Sequence, residues 1–254
     1  MKNVFITFAG LIFTASSFGQ VAYLQYRAVS PDHEQEFVEK ETKYWSKVAK
    51  SAIDKGQMTG WSLWRKVGIT EQGAPNYVFV NNFESIDKID QSAVWSEGNI
   101  AAMGVSPNMV QTNSIAPTTF DYWMQLEDFV PGDYKYAIVN YAMPANRGGF
   151  IEENKSLWKP FFEKNIKAGN MGMTSWGILS VIHPTGSEAR FSVLTWDGFN
   201  KMSDVLKYMS YQSPDSADSS WQEVLSKTKM GDLNPNGFKY SIVYERVMGL
   251  SAEE

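Results

Sequence analysis

Residues 31–61, PDHEQEFVEKETKYWSKVAKSAIDKGQMTGW, are answered by residues 144–176, PANRGGFIEENKSLWKPFFEKNIKAGNMGMTSW. Pro31, Phe37, Trp45 and Gly56 recur as Pro144, Phe150, Trp158 and Gly169, each at an offset of 113. Met58-Thr59-Gly60-Trp61 then meets Met173-Thr174-Ser175-Trp176 at 115, and Tyr77–Val80 meets Phe191–Leu194 at 114. Phe83 meets Phe199 at 116 and Trp123 meets Tyr240 at 117. The drifts fall between elements, where loops absorb insertions. One such pair arises by chance, but an ordered series at nearly constant spacing marks an internal duplication.

Each copy reads β-α-β-β-α-β. In the first, Val21–Val29 alternates as a strand, and Asp32 followed by Gln35 has the capping-box pattern of a helix start. Phe37, Glu41, Tyr44, Trp45, Val48 and Ala52 give that helix a partly apolar face, and Gly56 ends it. Met58–Val67 and Asn76–Phe83 form a hairpin pair, residues 86–116 carry weaker helical signals split by Pro107, and Phe120–Val130 closes the copy. The second copy runs Tyr134–Met143, a helix from Phe150 to Ile166 with a kink expected at Pro160, then Gly172–His183 and Glu188–Thr195. Helical pieces at Lys201–Tyr211 and Ser219–Lys229 and a strand at Phe238–Gly249 complete it, with Ser213–Ser220 as a surface loop. The modules therefore span residues 20–132 and 133–254.

Residues 1–19 read differently. A charged start at Lys2, an apolar run from Val4 to Phe18 and small residues at Ser17 and Gly19 make a secretory signal peptide, with cleavage expected before Gln20. The run is short for a membrane span. The pattern resembles the signal peptides of Bacteroidetes bacteria, which implies a periplasmic or secreted protein that is off the membrane once the peptide is removed. The 254 residues contain no cysteine, which excludes disulfides, thiolate metal sites and cysteine nucleophiles. A formal charge of −5 argues against a nucleic-acid surface. Neither a HExxH pattern nor a phosphate-binding glycine loop appears, and no cofactor or metal site is expected from the sequence.

Two tandem modules of this kind resemble the dimeric α+β barrel superfamily, in particular antibiotic-biosynthesis-type monooxygenases, NIPSNAP-like proteins and the fused two-module chlorite dismutase group. The resemblance covers Val21–Gly249. It implies an α+β fold in which two ferredoxin-like modules pack as a pseudo-two-fold barrel with the helices outside. It also brings an oxidative enzyme, cofactor-independent or haem-dependent, into view, and a histidine such as His183 would be chemically sufficient as a haem ligand.

Alternation along the strands proposes the site. Ala22, Leu24, Tyr26 and Ala28 suit a helix-packing face, which would turn Tyr23, Gln25 and Arg27 into the barrel. The same logic turns Trp61, Arg65, Asn81 and Glu127 inward, with Asn140 and Tyr244 from the second copy. The expected ligand-binding set is thus Tyr23, Arg27, Trp61, Arg65, Asn81, Glu127, Asn140 and Tyr244. Rings mixed with a few orienting polar groups suit a small, partly apolar molecule held between the two sheets. Two other readings stand beside it, an oxidative enzyme and an interaction protein with a filled core. The run Glu34, Glu36, Glu39 and Glu41 reads as a solvated helix face, and His33 as an exposed first-turn residue.

Overall fold

The computed structural model describes residues 20–211 and 219–252. The signal-peptide reading and most of the expected Ser213–Ser220 loop therefore lie outside the described residues. Eight strands form one closed antiparallel barrel in the order β1-β3-β2-β8-β5-β7-β6-β4. They are β1 (Val21–Arg27), β2 (Gly60–Lys66), β3 (Tyr77–Phe83) and β4 (Thr118–Val130), then β5 (Tyr136–Ala142), β6 (Met173–His183), β7 (Val193–Phe199) and β8 (Phe238–Ser251). Within each module the first strand lies between the fourth and the third, the ferredoxin-like order. The modules meet where β2 pairs with β8 and β4 pairs with β6. Closure leaves neither sheet a free edge.

Each module lays its long helix on the outer face of the barrel, where it also covers the neighbouring module's seam strand, β8 for the first helix and β4 for the second. In the first, α1 (Glu34–Lys40) and α2 (Ser46–Asp54) are joined by a π turn, Glu41–Trp45. In the second, α6 (Arg147–Glu153) and α7 (Lys159–Ala168) are joined by a π turn, Asn154–Trp158. Both turns start and end 113 residues apart, the offset read from the sequence. Side chains answer the carbonyls that the wide turns release: Thr42 Oγ1 donates to Val38 O at 2.7 Å, and Asn154 Nδ2 to Phe150 O at 2.8 Å. Pro160 sits in the first turn of α7, just after the irregularity. Since the first module makes the same π turn with Lys47 at the equivalent place, Pro160 is not its cause. Gly56 and Gly169 end the two helices at φ of +68° and +70°, a conformation that costs glycine alone little.

Short helices complete the outer layer: α3 (Gln91–Val94), α4 (Glu97–Ile100) and α5 (Pro107–Val110) in the first module, and α8 (Met202–Met209), α9 (Ser219–Lys227) and α10 (Met230–Leu233) in the second. Strand β7 starts later and ends later than the sequence suggested, and just ahead of it Ser192 donates to Ala142 O of β5 and accepts from Val181 N of β6.

The barrel interior is packed, and by the opposite strand face from the expected one. Ala22, Leu24 and Tyr26 of β1 point inside, where they meet Trp64, Val78, Ala137, Tyr141, Trp196 and Tyr244. Tyr26 donates to Tyr141 at 3.1 Å, and the Tyr141 and Tyr244 hydroxyls lie 3.2 Å apart, so the buried phenols satisfy one another. Trp196 lies flat against Gly177, where an added Cβ would come within 2.0 Å of the indole. What space remains is about 90 Å³, less than the roughly 150 Å³ that holds a benzene. The space between the sheets is therefore narrow, and of the expected set Tyr244 alone lines it. Alternation showed which residues share a face, but both faces of these strands are covered, and apolar content alone does not say which cover is the helix.

Candidate functional site

The larger cavities lie outside the barrel wall, one under the helices of each module. In the first module a cavity of about 330 Å³ opens between β1–β3 and the shell formed by the π turn and α3–α5. The wide turn at Glu41–Trp45 aims both of its end residues at this space. Trp45 is fixed there by its indole, which donates to Val110 O at 2.9 Å. Trp61, Phe79 and Trp95 supply further aromatic wall, and Tyr23 stacks on Trp123 with centroids 4.4 Å apart.

Two buried ionisable groups face each other across the space. Arg27, only 6% exposed, donates through Nη1 to Thr118 Oγ1 at 3.0 Å and through Nη2 to Asn113 Oδ1 at 2.8 Å. Both acceptors are neutral. Its Nε–H is buried with no acceptor, and the guanidinium lies over the Phe79 ring at 5.8 Å. Burial lowers the Arg27 pKa, with Glu41 acting in the opposite direction. Glu41 is 5% exposed and accepts from Thr112 Oγ1 at 2.6 Å. Burial pushes its carboxyl up to about 7, while the Thr112 hydroxyl and the Arg27 cation pull it down. Tyr23 donates to Asp121 at 2.7 Å and is raised to about 12, first by burial and then by that carboxylate.

The second module holds a cavity of about 460 Å³ in the matching place. Asn154 and Trp158, the ends of its π turn, line it as Glu41 and Trp45 line the first. Its acid comes instead from a strand: Asp197 of β7 is 4% exposed and accepts from Asn140 Nδ2 at 2.8 Å. Burial raises Asp197 to about 7, against the pull of the Asn140 amide.

The expected site residues divide among five places. Tyr23, Arg27, Trp61 and Asn81 do come together, but in the helix-covered cavity of the first module and not in the barrel. Asn140 lines the second module's cavity, and Tyr244 belongs to the barrel interior. Arg65 is exposed and pairs with Glu245 at 3.0 Å. Glu127 is half-buried, accepts from Ser180 Oγ at 2.6 Å and meets neither Arg27 nor Arg65. The expected single set is therefore corrected: Arg27 lines one cavity, Asn140 the other and Glu127 neither.

Periodicity placed Glu41 and Trp45 on the helix's partly apolar face but not in the expected site, and Trp95 and Asp197 carried no expectation. Glu41 had a signal, since it stands four residues after the fully buried Phe37 and so shares its helix face. Asp197 stands between Thr195 and Phe199 on one face of β7, in a strand that is buried along its whole length.

A haem held by histidine does not fit this arrangement. His33 and His183 are both exposed, and neither lines either cavity. Among the described residues no group of three or more His, Asp or Glu is placed to hold a metal ion. No described helix is long and apolar enough to cross a membrane.

No family model matches the chain, and no curated protein matches it in sequence. Solved structures do share its fold. An anthrone oxidase-like protein superposes with a TM-score of 0.56 at 11% identity, over 92% of this chain and 94% of that one. A candidate monooxygenase from Lactobacillus acidophilus NCFM gives 0.53 at 7% identity, covering 92% and 96%. A second, from Fusobacterium nucleatum, gives 0.51 at 10% identity, covering 93% and 98%. At such identities the likeness is one of fold, with two ferredoxin-like modules closing one barrel.

Proposed function

Taking as premise that the chain has the dimeric α+β barrel fold, we propose that it is an exported protein that binds a small planar acid under the helices of its first module. The carrying observation is Arg27, a buried guanidinium with two neutral partners and a free Nε–H, in a cavity walled by Trp45, Trp61, Trp95 and Phe79. A buried cation without a bonded anion is costly. A ligand carboxylate or phenolate at Nε completes the guanidinium's hydrogen bonds with a charge-assisted one, and flat rings suit the indole walls. Asn81, whose amide already donates to Tyr23 O at 3.2 Å, fixes the floor of the site.

Titration of the protein with 2-naphthoate and with the neutral 2-naphthalenemethanol tests this, read by tryptophan fluorescence and calorimetry. The acid binds at least tenfold tighter than the alcohol, and Arg27→Met removes that preference. Equal binding of the two compounds, or naphthoate affinity unchanged in Arg27→Met, overturns the assignment.

Glu41 favours a second reading, in which the cavity is catalytic. A carboxyl held near 7 takes a proton from a weakly acidic C–H or phenol at neutral pH, and Arg27 stabilises the anion left behind. Such an anion can pass electrons to dioxygen, which fits the anthrone oxidase-like and monooxygenase names of the structural neighbours. Oxygen uptake with anthrone that disappears in Glu41→Gln supports it, and uptake no faster than without protein removes it. Export is tested by N-terminal sequencing of protein from the native host. Cleavage before Gln20 leaves the fold intact, since the Gln20 carbonyl accepts from Leu126 N at 2.9 Å.

A further inference from the structure

The second module's cavity keeps the aromatic character of the first but holds a buried acid with no cation beside it. Among the described residues that line it, none is Lys, Arg or His. Its one charged group, Asp197, faces Ile138 of β5 and Trp176 of β6 across the strands and is tied down on one oxygen only, Oδ2, by Asn140. Asn140 is itself oriented by Ser241, whose hydroxyl donates to Asn140 Oδ1 at 2.7 Å. That bond turns the Asn140 amide group toward the carboxylate and fixes where its second oxygen points.

A second buried group repeats the message. Asn234 follows α10, lines the same cavity and is 8% exposed, and its Oδ1 is buried with no donor. The unfilled need of both groups is thus for donors, where Arg27 in the first module needs an acceptor. Trp158 and Trp221, with ring centroids 6.3 Å apart, and Trp176 present indole surface to the same space. Indole faces attract cations through the ring quadrupole, most strongly where water is excluded.

We propose that this cavity is a separate binding site for a small organic cation, an aryl- or alkylammonium with at least two N–H donors, seated against the tryptophans with its donors on Asp197 and Asn234. An ammonium neutralises the buried carboxylate and fills the orphaned amide oxygen in one step. An anion would meet Asp197 with no cation to offset it. A neutral hydrocarbon would leave both oxygens unanswered. The volume, about 460 Å³, takes a ring and its side chain.

Calorimetry on the full chain with phenethylamine, 2-phenylethanol and 3-phenylpropionate at neutral pH decides the matter. Phenethylamine binds one per chain, at least tenfold tighter than the isosteric alcohol. Asp197→Asn weakens it tenfold or more, Asn234→Leu weakens it severalfold, and Arg27→Met leaves it unchanged. If Asp197→Asn shows no cooperative thermal transition, Asn234→Leu and the amine-to-alcohol ratio of the wild type carry the test. The proposal fails if the alcohol matches the amine, if Asn234→Leu binds the amine at full strength, if 3-phenylpropionate displaces it, or if Arg27→Met abolishes its binding.

Discussion

The two helix-covered cavities use one frame for opposite chemistry. Each begins at a buried phenylalanine, Phe37 or Phe150, passes through a π turn that ends on a tryptophan, and stops at a left-handed glycine. The first residue of each turn looks into its cavity, but it is Glu41 in one module and Asn154 in the other. The acid has moved from the helix to β7, and the buried cation of the first module has no counterpart lining the second. What the modules share is steric: ring volumes, turn widths and backbone conformations that any occupant of the frame must satisfy. Charge is set separately, by one or two substitutions on a frame that tolerates either sign.

The largest test of that equivalence is Phe37→Ala against Phe150→Ala. Both rings are at most 2% exposed, and each truncation costs about 3–5 kcal/mol in urea unfolding. Unequal losses would show that one module bears more of the fold than the other.

Next come the two acids. Glu41 and Asp197 titrate near 7 in the folded chain and near ordinary carboxylate values, 4.5 and 3.8, when it unfolds. Between those limits the folded state holds more protons than the unfolded one, so stability is greatest below the unfolded values and falls as pH rises to about 7. Glu41→Gln and Asp197→Asn each flatten this decline by roughly 3 kcal/mol, measured as unfolding free energy at pH 5 and pH 8 relative to wild type. A decline that survives both changes would place its source elsewhere.

Glu41→Asn converts the first module's turn to the second module's residue. With the competing carboxylate gone, 2-naphthoate binds Arg27 about tenfold tighter at pH 8 and little differently at pH 5, where Glu41 is protonated in any case. Affinity unchanged at pH 8 would mean that Glu41 does not compete with the ligand for Arg27. The smallest effects belong to Gly56→Ala and Gly169→Ala. At φ of +68° and +70°, with no heavy atom near the added Cβ, each costs on the order of 1 kcal/mol by backbone strain alone, read as matched shifts in Tm.

The duplication and the barrel were legible because caps, turn glycines and buried rings leave their marks at fixed sequence positions. Which side of each strand faced the barrel was not. Ala22, Leu24 and Tyr26 look like residues for packing a helix, and the barrel interior asks for the same sizes. Arg27 and Asn81 share a strand face with Tyr23 and Trp61, since residues two apart or cross-strand partners share a face whichever way it points. Glu41 was lost in a run of four acids, of which Glu36 and Glu39 do make solvated pairs with Lys40 and Lys43. The π turn that buries Glu41 has no composition of its own, and no periodicity announces it.

The seams of the barrel also set an order of events in synthesis. Gly60 on β2 pairs with Ser251 on β8, so one of the first strands to be made waits for the last. Until residues 238–251 emerge, β2 has no outer neighbour, and β4 has none until β6 follows it. A half-made chain therefore offers two sticky edges and no closed core. Under the export proposed above this delay is useful, since a polypeptide that cannot close before its final strand stays threadable until it has left the ribosome.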